Sequence, residues 1–513
     1  MSIRKHLMIL ALLFLVVAVP RAMYPDLDHG DEFSDANALD AGRNFARLGF
    51  RTCRFLPVWE PGCERPTDAY THFPPLSDII NGVERVVFHT DMLVVFRLGA
   101  LACALAGIFC WYVFIRLLTR SPMLGMLAAV FYIFNPFFIF SSDSLHMLTY
   151  SDTLRALAFL LFAVYCRTRS RKVFAGLWLA YFTVALVTFD YIPYLALFFA
   201  LSGFVLPELR VSRKALGILI LAPVAAFGLH FLQNCWYFGS FTAAFNDLRG
   251  VAAQRIASNS EGIPLNFGTW LQLAIMYNLS QVLIFGPGLL IVSGFFATLM
   301  WQALDEPARE TAGRLLRLTG LFFICGICWY VLFPAHAVGH VFVYLLVRHL
   351  VPFAAAGFTL IAGIAWLFIR GREARVFPRL LFFIVVALTA ASGLLASQLP
   401  VTAPKIQAAQ RFRQMVGCLS AARAVIGPRE TVGINYFRFP LYRYYLARKC
   451  VRVVDAAGLA GESPAPDWFL FIPFNAPESR ELYEALQKEY APVSTCDNQD
   501  KPFLLFKRKD VQP

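Results

Sequence analysis

Apolar runs long enough to cross a bilayer recur along almost all of the first 400 positions, and they constrain this chain more than any other feature. A hydrocarbon core about 30 Å thick needs roughly 20 helical residues to span it. With 58% hydrophobic, 15% aromatic and only 15% charged residues, the composition lies outside the range of a soluble domain. The first run, Leu7 to Pro20, follows Arg4-Lys5 and could pass for a signal peptide. What comes next is Arg21-Ala22-Met23-Tyr24-Pro25 rather than a small-residue cleavage site, so it reads as an uncleaved first span. Further spans are expected at about 91–118, 122–141, 144–166, 173–190, 192–207, 215–237, 270–302, 318–334, 340–369 and 378–398, about eleven in all.

Loop charges set the orientation, because short cytoplasmic connections collect Lys and Arg. With the N-terminus inside, the basic turns at 116–120, 167–172, 210–214, 309–317 and 370–375 all fall on the cytoplasmic side. Three larger segments then lie outside: about 21–90, 238–269 and 400–513. The net charge of +13 is thus largely a topology signal, which excludes a nucleic-acid partner. The expected location is a cell inner (plasma) membrane, multi-pass, with the active face and the C-terminal domain extracytoplasmic. The chain divides into a transmembrane domain, 1–399, and an extracytoplasmic domain, 400–513.

Beyond Pro400 the long apolar runs stop. Helical stretches near 404–425, 439–448 and 478–489 alternate with strand-like runs at 431–434, 451–454, 468–472 and 503–506, the pattern of a small α/β layer. Neither a phosphate-cradling glycine loop nor a nucleophile elbow is present, so this domain reads as a lid or acceptor-docking module. Six of the eleven cysteines lie in apolar spans as small hydrophobes. Cys53 and Cys63 could close a small loop in an oxidising compartment, while Cys418, Cys450 and Cys496 leave the pairing in the tail open.

The first outer loop carries the chemistry. Six acids, Asp26, Asp28, Asp31, Glu32, Asp35 and Asp40, stand just outside a span. From Asp35 to Leu48 the pattern gives Leu39, Phe45 and Leu48 near one side and Asp40, Arg43 and Arg47 among the polar positions, which predicts a short helix along the bilayer surface. Pro74-Pro75 then stiffens the return to the membrane. Inside the spans, Arg97 and Arg348 are costly at membrane depth and call for a partner or cavity. His336 and His340 sit at the outer boundary ahead of Arg348-His349 and Pro352. Asp143, His146, Asp152 and Asp190 fall on the same face as the acidic loop, where they either shape a pocket or serve as a helix cap (Asp143) and an ion pair (Asp152 with Arg155).

In this order, Ser34-Asp35-Ala36, Ala41-Gly42-Arg43-Asn44-Phe45, Leu48-Gly49-Phe50, Thr71-His72-Phe73-Pro74-Pro75-Leu76 and Phe96-Arg97-Leu98 resemble the polyprenyl-phosphate-sugar-dependent glycosyltransferases of the C-type fold. That group includes the protein O-mannosyltransferases and the lipid A aminoarabinose transferases. The resemblance implies transfer of a sugar from a polyprenyl-phosphate donor to a glycan, lipid or protein acceptor, by an inverting reaction with one carboxylate as general base. In the family an Asp-Glu pair precedes the Arg-Asn positions at a fairly fixed distance; Asp31-Glu32 stands several residues too early and Asp35 is nearly in register. Asp35 is therefore the first choice for the base, with Asp31 and Glu32 as rivals. The donor phosphate would be held by His72, Arg97, His336, His340 and Arg348, with Asp143, His146, Asp152 and Asp190 around the sugar. No cofactor is implied; the loop acids could hold a divalent cation, although their spacing matches no standard site. The competing reading is a multi-spanning transporter or lipid flippase, against which stand the lack of an internal repeat and the crowding of charges toward one face.

Overall fold

The structure is a computed structural model and describes residues 2–24, 26–27, 32–60, 69–257, 267–268, 298, 301, 304–332, 348–371, 376–396, 403–436, 439–461, 465–473, 477–496 and 502–509. The chain is a polytopic helical protein with a C-terminal α/β domain. Among the described residues, five helices are long and apolar enough to cross a membrane by length and composition. They are α1 (Ile3–Ala22), α4 (Leu93–Thr119), α7 (Met147–Thr168), α10 (Arg213–Phe238) and the Glu306–Trp329 part of α12 (Glu306–Leu332). Shorter apolar stretches are α5 (Pro122–Ile133), α9 (Tyr191–Val205), Val351–Leu367 within α13 (Val351–Gly371) and Phe382–Ala391 within α14 (Val376–Ala396). The expected span at 270–302 lies outside the described residues but for Thr298 and Trp301.

The chain divides into two compact units, and the division differs from a cut at residue 400. Unit 1 is Met1–Tyr24, His72–Pro74 and Arg97–Ser397; unit 2 is Pro25–Thr71, Pro75–Phe96 and Gln398–Pro513. Most of the first loop, assigned above to the transmembrane domain, therefore packs with the tail.

Unit 1 is held by aromatic stacking and close helix approach. Phe159 of α7 and Phe198 of α9 have ring centroids 4.5 Å apart, and Phe198 stacks on Phe322 of α12 at 5.7 Å. Lipid tails are as apolar as leucine, so helix association in a membrane depends on such packing and on small residues that admit a neighbouring backbone. Gly107 is one: a Cβ there would lie 3.1 Å from the Thr153 Cα. The run expected as one span at 122–141 is broken into α5 and α6 (Pro136–Ser141). Pro136 has no N–H to continue the helix, and the Asn135 side chain accepts from the Phe137 and Phe138 N–H groups at 3.0 and 3.4 Å, capping the new one. Helices α8 (Arg171–Val187) and α11 (Phe241–Ala257) also belong to this unit.

Unit 2 contains α2 (Glu32–Leu48), α3 (Leu76–Phe88) and the tail. In the tail, α15 (Ala403–Val425) leads to β1 (Thr431–Ile434), α16 (Phe439–Leu446), β2 (Lys449–Arg452), α17 (Ala456–Gly461), β3 (Trp468–Phe471), α18 (Pro477–Glu489), β4 (Tyr490–Cys496) and β5 (Phe503–Arg508). The sheet runs β2-β1-β3-β5-β4, parallel across β2, β1 and β3 and antiparallel beyond. Sequence patterning misses β4 because it follows α18 without a turn and holds Pro492, which an edge strand tolerates. A disulfide joins Cys418 to Cys496, and Cys450 stays a buried free thiol; Cys63 lies outside the described residues.

The expectation of α2 as a bilayer-surface helix is not met. Its residues 35–42 are all buried, packed on α3 and α16, and Asp40 is buried with them. Gly42 and Gly82 allow the close crossing with α3: a Cβ on Gly82 would meet Phe45 at 2.8 Å. The exposed apolar face belongs to α3 instead, where Val83, Val86, Val87 and Phe88 face out while Asp78, Asn81 and Arg85 are buried. That inversion suits a helix whose outer side meets hydrocarbon.

Burial raises the Asp78 carboxyl to about 7, and one of its oxygens, Oδ1, has no hydrogen-bond partner. Because the folded-state pKa lies above the unfolded value near 4, the stabilising contribution of Asp78 is complete below pH 4 and is lost as pH rises through about 7. Asp78→Asn is expected to raise the melting temperature at pH 8 and to change it little at pH 5. Equal shifts at both values would contradict a buried, titrating Asp78.

Candidate functional site

Unit 1 holds two clusters in which one carboxylate is shared by two guanidinium groups. In the first, Asp152 and Arg155 lie one turn apart on α7, and Asp152 Oδ1 accepts from Arg155 Nη2 at 3.1 Å. Arg348, just ahead of α13, brings its Nε to 3.6 Å from the same oxygen and donates to the Tyr191 hydroxyl at 3.0 Å. That hydroxyl in turn donates to Asp152. The Tyr191 ring packs under both cations, 4.4 Å from the Arg155 guanidinium carbon and 5.3 Å from that of Arg348. Such stacking on an aromatic face is worth more where water is excluded. Both Nη atoms of Arg348 are buried and have no hydrogen-bond partner among the described residues.

In the second cluster Arg21, in the last turn of α1, donates from Nε to Asp143 Oδ1 at 2.6 Å and from Nη2 to the Phe140 carbonyl at 3.0 Å. Arg97 of α4 approaches the other Asp143 oxygen at 3.5 Å and donates to the Tyr24 carbonyl. The turn after α6 ties the clusters together. Asp143 lies within it, and the Ser141 hydroxyl donates to Asp152 at 3.5 Å. Thr149 Oγ1 in turn donates to the carbonyls of Ser141 and Ser144, at 2.5 and 3.1 Å. Asp190, buried one residue before Tyr191, adds a second carboxylate near Arg348.

Several sequence expectations are redrawn by this geometry. Arg97 and Arg348, expected in one cleft with His340, sit in different clusters with different carboxylates. Asp143 is an ion-pair partner rather than a helix cap, and Arg21 was missed, having been read only as the flank of the first span. Asp190 is fully buried one residue before Tyr191, and His146 immediately precedes α7. His72 is half-exposed, its Nε2 3.5 Å from Asp247 Oδ1 on α11. His336 and His340 lie outside the described residues.

In unit 2, Glu32 and Asp35 occupy the first turn of α2, where the helix N-terminus favours carboxylates. Asp35 is only 5% exposed, not the open carboxylate expected, and Asp31 lies outside the described residues. Asn44 is a staple: its Nδ2 donates to the Val58 and Glu60 carbonyls at 2.7 and 2.9 Å. Among the described residues no group of three His, Cys, Asp or Glu side chains could hold a metal ion.

This polytopic architecture, with its C-terminal domain, is a fold already seen in solved structures. The chain is similar to crystal structures of ArnT from Cupriavidus metallidurans. The one bound to undecaprenyl phosphate superposes with a TM-score of 0.54 at 15% identity, covering 98% of this chain and 99% of that one. The apo state gives 0.54 at 14% identity, with 97% of each chain covered. An Archaeoglobus fulgidus oligosaccharyltransferase in complex with Zn and sulfate lies further off, with a TM-score of 0.41 and 12% identity over 87% of this chain and 62% of that chain. No protein-family model and no curated protein matches the sequence.

Asp152 pairs with both Arg155 and Arg348. Asp152→Asn would leave buried Arg155 without this partner and Arg348 with Asp190 as its nearby carboxylate, at an expected cost of about 3–5 kcal/mol. Thermal unfolding in detergent measures this, and an unchanged melting temperature would show that the cluster is open to water.

Proposed function

We propose that the protein is a membrane glycosyltransferase that moves a sugar from a polyprenyl-phosphate donor to a glycan, lipid or protein acceptor on the extracytoplasmic side. The observation that supports this most is the Arg348 guanidinium, buried beside Asp152 and with two Nη donors unpaired among the described residues. An anion with two acceptor oxygens satisfies those donors in the forked geometry that favours arginine for phosphate. The similar fold was crystallised with undecaprenyl phosphate, a lipid of that chemistry.

The donor is a phosphodiester whose departure as polyprenyl phosphate needs little help from a general acid. Arg348, with Tyr191 stacked against it and Asp152 beside its Nε, would hold the departing phosphate. The carboxylate that removes the acceptor's proton is, on the resemblance of the first-loop motifs, Asp35. Charge developing on the sugar in an oxocarbenium-like transition state is stabilised by a nearby carboxylate. Inversion at the anomeric carbon follows from a single displacement. A disulfide in the tail is consistent with an oxidising compartment, the outer side of an inner membrane in the orientation given by the loop charges.

Two experiments test this reading on purified protein in lipid nanodiscs supplied with polyprenyl-phosphate sugars. Arg348→Ala should raise the donor KM more than Arg348→Lys, since an ammonium keeps the charge and loses the fork. Unchanged donor kinetics in the alanine variant would remove Arg348 from the site. Asp35→Asn keeps size and hydrogen bonding and abolishes basicity, so turnover should fall by about 100-fold or more with donor KM preserved. Near-normal turnover in Asp35→Asn beside an inactive Asp31→Asn would transfer the role to the Asp-Glu pair.

A further inference from the structure

The acidic segment of the first loop is gripped on both sides by the tail. Ahead of it, the Leu27 N–H donates to the Tyr445 hydroxyl at 3.2 Å, and Asp26 accepts from Arg413 Nε at 3.1 Å. Behind it, Arg443 of α16 donates from Nε to Asp40 Oδ2 at 3.0 Å and from Nη2 to Asn37 Oδ1 at 2.7 Å. Arg43 adds a cation–π contact, 4.3 Å above the Tyr444 ring. These contacts are unequal. The Arg413 side chain is 54% exposed, so its pair is screened and contributes little. Arg443, Asp40 and Asn37 are all buried, and a forked guanidinium bonded to two side chains one turn apart fixes the rotation of α2 about its axis. Glu32 and Asp35 lie in the turn of that helix immediately before Asn37.

We propose that the C-terminal domain acts through Arg443 as the positioning device for the acid that serves as base, holding α2 at the angle from which Asp35 works. This rests on the function proposed above and replaces the reading of the domain as a lid. Arg443 touches neither substrate nor reacting atoms; it acts through the helix. A general base displaced by about 1 Å loses on the order of 100-fold in rate, whereas the binding of a donor held elsewhere is untouched.

Arg443→Met alone leaves Asp40 buried without its main partner and could fail for lack of folding. The informative variants are the apolar pair Asp40→Leu/Arg443→Met, a replacement of the kind buried ion pairs tolerate, and Arg443→Lys, which keeps a charge for Asp40 and cannot reach Asn37 with the same fork. Each is assayed in nanodiscs for melting temperature, kcat and donor KM. The expected result is a kcat lowered about 10- to 100-fold in the double variant and less in Arg443→Lys, with donor KM within about twofold of wild type. Wild-type kcat in whichever of these variants keeps the wild-type melting temperature would overturn the inference and leave the proposed function standing. Wild-type protein that transfers no sugar from any polyprenyl-phosphate donor would overturn the function itself, and the inference with it.

Discussion

Charge carried into an apolar medium has to be paired, and the paired arginines of unit 1 are where this fold is most constrained. An isolated guanidinium at membrane depth is costly, and the cost falls only when a carboxylate, carbonyl or aromatic face replaces the lost water. Asp143 and Asp152 supply that replacement for four arginines, Arg21, Arg97, Arg155 and Arg348, drawn from α1, α4, α7 and the segment before α13. Helices in lipid have little hydrophobic drive to associate, so such polar contacts help fix which of them are neighbours. The break between α5 and α6, made by Pro136 and the Asn135 cap, places Ser141 against Asp152 and Thr149.

The same constraint links structure to chemistry. In the Arg348 cluster two buried donors stay unpaired among the described residues. An anion with two acceptor oxygens would complete those hydrogen bonds, and the proposed phosphate site rests on that feature.

Unit 2 solves a different problem. A loop of more than 60 residues between two spans gains order only by packing on something, and here the first loop packs with the tail. Helix α2 is buried between α3 and α16, which turns a stretch of acids into a helix with a defined rotation. Amphipathic patterning identified a surface-active helix but attached it to the wrong segment, since α3 has the exposed apolar face.

Length, hydropathy and loop charge were sufficient to read a polytopic helical protein with an α/β tail, because the bilayer's thickness and its exclusion of unpaired charge act on every residue locally. Arg97, Asp143, Asp152 and Arg348 could be singled out for the same reason: a charge beside or within an apolar run is conspicuous in one dimension, whereas Asp35 stood out from its neighbours only by the register of the first-loop motifs. The pairing of Asp152 with Arg155, three residues along one helix, was legible too; the distant partners were not. Arg21 pairs with Asp143 across 122 positions, Arg348 with Tyr191 across 157, and Arg443 with Asp40 across 403. No spacing rule joins residues so far apart, and Arg443 sits in an ordinary amphipathic stretch of the tail. Which cation meets which carboxylate, and that the tail rather than the lipid surface receives α2, was decided by tertiary packing alone, because only there does burial remove water and make each of those contacts necessary.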